Sequence, residues 1–322
     1  MRVLYLSEAE VERLLTMEMA LAAVEEAFRQ EAAGQVKNQP RRRLSVPGGV
    51  LLHYMAAADS SLGYFGMKIY TSSRTGTRFL LPLYRNDSGE LVALLEADYL
   101  GRMRTGAASG VATKYMARAE AARVGVIGCG HQAPSQLLAL AQVRKLRAGR
   151  AYSPTAARRA AFAERMSTEL SIPVEAVDTA EAAVREADIV VTITSAREPV
   201  LEGAWLAPGT HVNAAGVNRA QCRELDTAAV HRAARIVVDS LEQAKEEAGD
   251  LLAAFKDSPG RWQEVRTLAE VVAGTFPGRA NRGEITLFKS NGVALEDVAT
   301  AVRVYERARE VGLGRMMEMW EG

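Results

Sequence analysis

Val124-Gly-Val-Ile-Gly-Cys-Gly-His-Gln-Ala133 sets Gly128, Gly130 and Ala133 directly behind an apolar run and ahead of a helical pattern, Gln136 to Leu146. This GxGxxA spacing has a physical meaning at a strand-to-helix turn. The first glycine allows the tight turn, the second lets backbone approach a pyrophosphate, and the small third residue lets helix pack on strand. The helix N-terminus then faces the phosphates. Further short apolar runs follow at Arg150 to Ser153, Ile189 to Thr194, His211 to Ala215 and Arg235 to Asp239, separated by helical patterns. Alternation of this kind predicts an α/β Rossmann domain, a doubly wound parallel sheet with helices on both faces.

The turn arrives two-fifths of the way along the chain, so the first third needs its own explanation. Ser7 and Glu10 have capping-box spacing ahead of Val11, Leu14 and Leu15, and Leu21, Val24 and Phe28 mark a second helix. From Arg42 the pattern turns to strands: Val50 to Met55, Tyr64 to Tyr70, then Phe79 to Tyr84 and Leu91 to Leu95 as a hairpin around Asn86-Asp-Ser-Gly89. Ala-rich helical sequence covers Gly106 to Ala119, and a last helix carries Leu295, Val298, Val302 and Tyr305. The expected organisation is a second α+β domain of residues 1–118 joined by 294–322, and a Rossmann domain of residues 119–293.

Size and charge narrow the function. A chain of 322 residues has room for two domains. Lys and Arg total 40 against 39 for Asp and Glu, which leaves no excess to draw the chain to nucleic acid or a membrane surface. A small molecule is the expected partner. MRVLYLSEAEVERLL becomes charged before a signal-peptide core can form, and no run approaches the about 20 apolar residues of a membrane span, so a cytoplasmic location is expected. Cys129 and Cys222 fit neither a metal site nor a disulfide scaffold, and His53, His131, His211 and His231 are too scattered to suggest a metal.

The cofactor is read at the end of the second strand, where NAD-binding chains carry an acid for the ribose 2′-hydroxyl. Ala151-Tyr-Ser-Pro-Thr155 has none, whereas Ser153, Thr155 and Arg158 or Arg159 could receive a 2′-phosphate. NADP(H) is favoured and NAD(H) remains open. The same arginines also fit a solvated helix face, and Ser153-Pro154 fits a helix N-cap. His131 and Gln132 lie inside the turn. Thr194, Ser195 and Ala196 follow the candidate strand from Ile189, and Val217 and Asn218 follow the one from His211, so these are cofactor candidates by their place at the carboxyl end of the sheet. No GxxxxGK[ST] is present to support phosphoryl transfer.

Gly66-Met-Lys-Ile69, Arg102-Met-Arg-Thr-Gly-Ala-Ala-Ser109, the glycine turn, Ala214-Ala-Gly-Val-Asn218, Arg223-Glu-Leu-Asp226 and Phe288-Lys-Ser-Asn-Gly292 stand in a recognisable order. In this the chain resembles the ornithine cyclodeaminase and mu-crystallin family over nearly its whole length. The resemblance implies that the N-terminal segment and the C-terminal helix form a substrate-binding and dimerisation domain, and that the protein is a homodimer. It further implies that Lys68, Arg104 and Arg42, within Gln39-Pro-Arg-Arg-Arg43, surround the carboxylate and reacting centre of a small amino or imino acid. A guanidinium fork suits a carboxylate, and Lys68 could donate to an imine or carbonyl. Strand alternation sets Lys68 opposite Met67 and Ile69, as on a polar cleft wall. Thr105 is placed to reach the cofactor. His53 falls near an acidic position of the cyclodeaminases, as an acid or base or as a structural histidine.

Asn218 departs from the family pattern, in which a matching aspartate handles proton and amine transfers. An amide orients by hydrogen bonds but is no base. Expected, therefore, is an NAD(P)H-dependent oxidoreductase that reduces a small α-imino or cyclic ketimine acid to the amino acid, or the reverse, with Lys68, Asn218 and His53 as its catalytic candidates. The alternatives are an ornithine or lysine cyclodeaminase and a mu-crystallin-like NADP-dependent ligand-binding protein.

Overall fold

The computed structural model describes residues 2–74 and 76–320, and they divide into two units. One holds the chain up to Arg104 together with the segment from Val293 onward, and the other is Thr105–Gly292. The expected domain edge at 118 lies beyond that division, within the second unit. The helix Asp98–Met116 runs across the division.

In the first unit, seven strands lie in the order Arg315–Glu318, Arg2–Leu6, Leu91–Glu96, Gly76–Arg85, Tyr64–Ser73, Val50–Asp59 and Val36–Val46. All neighbours are antiparallel except Arg2–Leu6 beside Leu91–Glu96. The hairpin at Asn86–Gly89 is present, closed by Gly89 at φ 72°, a conformation glycine adopts without penalty. The capping box at Ser7 forms as spaced. The C-terminal helix, Ala294–Val311, lies on the four strands from Val36 to Arg85 and against the helix Met17–Ala32. Its close approach needs Gly66, where a Cβ would stand 2.8 Å from the Pro82 carbonyl oxygen and 3.2 Å from Val298.

In the second unit, eight parallel strands lie in the order Arg266–Thr267, Ala233–Val238, Ile285–Lys289, His211–Ala214, Ile189–Thr192, Arg123–Ile127, Ala148–Tyr152 and Val174–Ala176. The chain starts in the middle, winds one way through Ala148–Tyr152 and Val174–Ala176, then returns to Ile189–Thr192. The strand order therefore reverses beside Arg123–Ile127, the switch point where doubly wound sheets open a crevice at their carboxyl ends. Successive residues of Ile189–Thr192 divide between two hydrophobic clusters, Val190 in one and Ile189 and Val191 in the other, so both faces are covered. This is the Rossmann architecture expected, with additional strands at Val174–Ala176, Arg266–Thr267 and Ile285–Lys289. Among the described residues no helix is long and apolar enough to cross a membrane, and no group of His, Cys, Asp and Glu is arranged to hold a metal ion.

Candidate active site

The glycine turn is built as its spacing requires. Gly128 has φ 108°, its amide donates to the Tyr152 carbonyl at 2.8 Å, and a Cβ there would lie 2.4 Å from the Ile193 carbonyl oxygen. The fold demands glycine at this position. Gly130 is different, because a Cβ there would meet nothing within 4 Å. No neighbour in the chain explains that glycine, while a pyrophosphate lying on the backbone would. Ala133, fully buried, opens the helix Ala133–Val143, whose first turn carries no acidic residue. An exposed His131 and half-buried Gln132 precede it. These residues fit a dinucleotide, whose chemistry when bound is to give or take a hydride.

At the end of Ala148–Tyr152, Ser153 is buried, and Thr155 and Arg158 are exposed. No carboxylate stands there. Arg159 donates to the Ser153 carbonyl at 3.2 Å and pairs with Asp178 from the segment after Val174–Ala176. Cys129, inside the turn, has its thiol pushed up to about 11 by burial and so is no nucleophile at neutral pH.

The loops that follow the next two strands are fastened by a buried ionic chain. Glu224 accepts from the Thr194 amide at 2.7 Å and hydroxyl at 2.8 Å, and from the Gly216 amide at 2.8 Å. Asp250 accepts from the Glu224 and Leu225 amides at 2.7 and 2.9 Å. Lys289, fully buried, pairs with Asp250 at 3.0 Å and donates to the Val217 carbonyl at 2.7 Å. Burial pushes the Glu224 carboxyl up, against the pull of Lys289. The cofactor candidates Thr194, Ser195, Ala196, Val217 and Asn218 thus sit on or beside loops pinned to one network. Glu224, Asp250 and Lys289 received no role from the sequence; their signal was charge standing in an apolar run, as in Leu287-Phe-Lys289.

Within the first unit, Lys68 and Arg104 come together on the C-terminal helix. Lys68 Nζ donates to Asp297 Oδ1 at 2.8 Å, Arg104 Nε to the same oxygen at 2.9 Å, and Arg104 Nη1 to Glu296 Oε2 at 2.8 Å. All four side chains are buried. Gly101, one turn before Arg104, makes room, since a Cβ there would stand 2.8 Å from Lys68 Nζ. Desolvation lowers the lysine and Asp297 raises it, leaving it at about 8, well below an ordinary lysine. For Arg104 burial would lower the guanidinium, but Asp297 and Glu296 outweigh it and hold the charge. Such a cluster is strongly bound to its partners: removing one member of a buried ion pair costs about 3–5 kcal/mol.

Strand alternation sets Lys68 opposite Met67 and Ile69, as its spacing predicts. Lys68 faces the buried side with Met55 and Leu81, and the apolar Met67 and Ile69 are the half-exposed ones. Arg42, expected beside the carboxylate, is exposed on the strand Val36–Val46. Its neighbour Arg41 is buried, 4% exposed, at an irregularity between Gln39 and Arg42 that turns it to the Lys68 side, and it acts on the Lys68 charge. An extra residue in a strand re-aims a side chain in this way; no residue-type pattern within Arg41-Arg-Arg43 would have chosen between them. His53 is buried, stacked on Tyr70 at 4.3 Å, with Nε2 3.2 Å from Ser72 Oγ. It shares the Lys68 face of the sheet two residues from Met55. Thr105 follows Arg104 on the helix and is buried; Asn218 is half-buried. Asp297 and Glu296 were missed, because on a helical pattern they read as an acidic first turn.

The model of the ornithine cyclodeaminase/mu-crystallin family matches residues 2–312. Alanine dehydrogenase of Archaeoglobus fulgidus is 37% identical over 331 residues, covering 99% of each chain. Among solved structures, the Thermococcus litoralis Δ1-pyrroline-2-carboxylate reductase in complex with NADH and L-proline superposes with a TM-score of 0.93 at 36% identity, covering 97% of this chain and 99% of that one. An archaeal alanine dehydrogenase dimer with bound NAD gives a TM-score of 0.93 at 36% identity, covering 99% of this chain and 100% of the other. Matched from end to end in sequence and in fold, the chain belongs to the ornithine cyclodeaminase/mu-crystallin family.

Proposed function

We propose that this protein is an NAD(P)H-dependent oxidoreductase that interconverts a small α-imino or cyclic ketimine acid and the corresponding amino acid. The observation that carries the reading is the buried Lys68 and Arg104 pair in a chain whose other unit bears a dinucleotide turn. Arg104, with Arg41 in place of Arg42, binds the substrate carboxylate as a charged fork. Lys68 donates a hydrogen bond to the C=N or C=O group and so favours arrival of a hydride at carbon. Asn218 orients substrate or nicotinamide, and having no carboxylate it leaves hydride transfer without a base for ring-closing deamination.

The cofactor reading is that NADPH is accepted, supported by the missing acid after Tyr152 and by the exposed Arg158. The assembly is a homodimer. Supporting it, the outward face of the first sheet carries exposed apolar side chains around Arg42: Tyr54 and Leu80, 41% and 40% exposed, both pair in register with Ile69, and Leu44 lies further along at 56%. Large apolar side chains exposed together on one face mark an interface, and light scattering that returned a monomer would contradict it.

The test of the activity is oxidation of NADPH and NADH with Δ1-pyrroline-2-carboxylate, and with pyruvate and other α-keto acids plus ammonia or methylamine. Rapid oxidation with one of these and its loss by 100-fold or more in Lys68→Ala is expected, the scale of a general acid. Unchanged turnover in Lys68→Ala would remove the assignment.

A further inference from the structure

We propose that Asp297 is the positioning residue that keeps Lys68 protonated and thereby makes Lys68 the proton donor to the substrate nitrogen. This rests on the function proposed above. Two cations share one oxygen of Asp297, at 2.8 and 2.9 Å, while Oδ2 is buried with no hydrogen-bond partner among the described residues. A carboxylate whose only task was to neutralise Arg104 would use both oxygens in a fork; here Glu296 supplies the second bond to Arg104. Asp297 is left as the counter-ion of Lys68.

The charged groups around Lys68 come from each packed element. Asp297 faces it from the C-terminal helix, Arg104 from Asp98–Met116 and Arg41 from Val36–Val46. The strand Gly76–Arg85 offers the ring of Phe79, 5.0 Å from Nζ, and the strand Val50–Asp59 offers uncharged Met55, with His53 two residues away on the same face engaged by Tyr70 and Ser72. Among them Asp297 is the group in direct contact that favours the ammonium; two guanidiniums and desolvation oppose it. Without that carboxylate, Lys68 would be neutral at physiological pH and could not donate.

The step balances as follows. As the imine carbon gains a hydride, the C=N π pair moves to nitrogen. The nitrogen takes a proton from Lys68 Nζ, so one N–H bond breaks and another forms. Lys68 is left a neutral amine, hydrogen-bonded to ionised Asp297, and regains its proton from water. In the oxidative direction neutral Lys68 takes the proton back.

The experiment is the pH profile of kcat for imine reduction in wild type, Asp297→Asn and Asp297→Glu. In the asparagine variant the basic limb is expected to move down by about 1–3 pH units, the size of effect of a nearby opposite charge, so that activity lost at pH 8 returns near pH 6. The glutamate variant, which restores the charge, is expected to bring the limb back toward wild type. Equal loss at every pH, or an unmoved limb, would overturn the proposal. Asp297→Ser serves if the asparagine variant does not fold, and failure of both to fold would place Asp297 in the architecture and overturn it too. The two readings fail separately: if the wild type reduces none of the imines the proposed function falls, whereas if the wild type reduces one and Lys68→Ala is fully active, or Lys68→Ala is inactive and the Asp297→Asn limb is unmoved, only this inference does.

Discussion

The two glycines of the turn make opposite demands. Gly128 is fixed by the chain itself, at φ 108° against the Ile193 carbonyl, so Gly128→Ala is expected to lose about 1–3 kcal/mol of stability from the backbone conformation alone. Gly130 faces open space, and Gly130→Ala is expected to unfold at the wild-type temperature while binding NADH or NADPH at least tenfold more weakly. Thermal unfolding and cofactor fluorescence, measured on both variants, check the pair; equal behaviour would mean that neither glycine is reserved for the cofactor. Lys68 carries a second residue-scale prediction. With its ammonium at about 8, reduction is expected to fall as pH rises through about 8, since the protonated form is the donor.

Elements are joined to the site by groups that lie outside it. The helix Asp98–Met116 starts eight residues before the expected Gly106, and the reason is tertiary. Of Gly101 and Gly106, which read as helix breakers, the second is required by contact, since a Cβ there would lie 2.2 Å from the Ser135 carbonyl oxygen, while a Cβ at the first would lie 2.8 Å from Lys68 Nζ, at the end of a flexible side chain. Likewise Ile285–Lys289 was not read as a strand, because its terminal lysine is fully buried and finds its partners, Asp250 and the Val217 carbonyl, only in the fold. Glu224 tests the clamp on the loops. A carboxylate meets the three donors of Thr194 and Gly216, whereas the amide of Glu224→Gln must turn its NH2 on an N–H, leaving a buried donor unpaired at about 1–3 kcal/mol. Cofactor affinity is expected to fall about tenfold and melting temperature by a few degrees, with Glu224→Asp no substitute because its arm is shorter. Wild-type affinity for NADH in a folded Glu224→Gln chain would dissociate the clamp from cofactor binding.

On the scale of the whole molecule, folding buries His211 between Thr286 and Asn213, and desolvation pushes its imidazole down to about 3. The unfolded chain has an ordinary imidazole near 6.5 and binds the extra proton between these values, so His211 withdraws stability as pH falls below about 6.5, at about 1.4 kcal/mol per pH unit. Buried Glu224 and Asp239, both raised by desolvation, act in the opposite sense above about pH 4, so the comparison with His211→Gln isolates the histidine. Between pH 6.5 and 5 acidification is expected to lower the wild type's melting temperature relative to the variant's; identical slopes would refute the assignment.

What the amino-acid order determined by itself was local or repeated: the glycine turn, the alternation of strand and helix behind it, the Asn86–Gly89 hairpin, the capping box at Ser7, and a family resemblance carried by motifs in series. These follow from backbone conformation and periodicity, which neighbours in sequence control. The tertiary structure decided which arginine of Arg41-Arg-Arg43 turns inward, which side of Tyr64–Ser73 is buried, and that Asp297 answers Lys68 across 229 positions of chain. Those depend on a strand irregularity and on desolvated charge pairs between distant segments, where the energy of a residue is set by its partner and not by its neighbours.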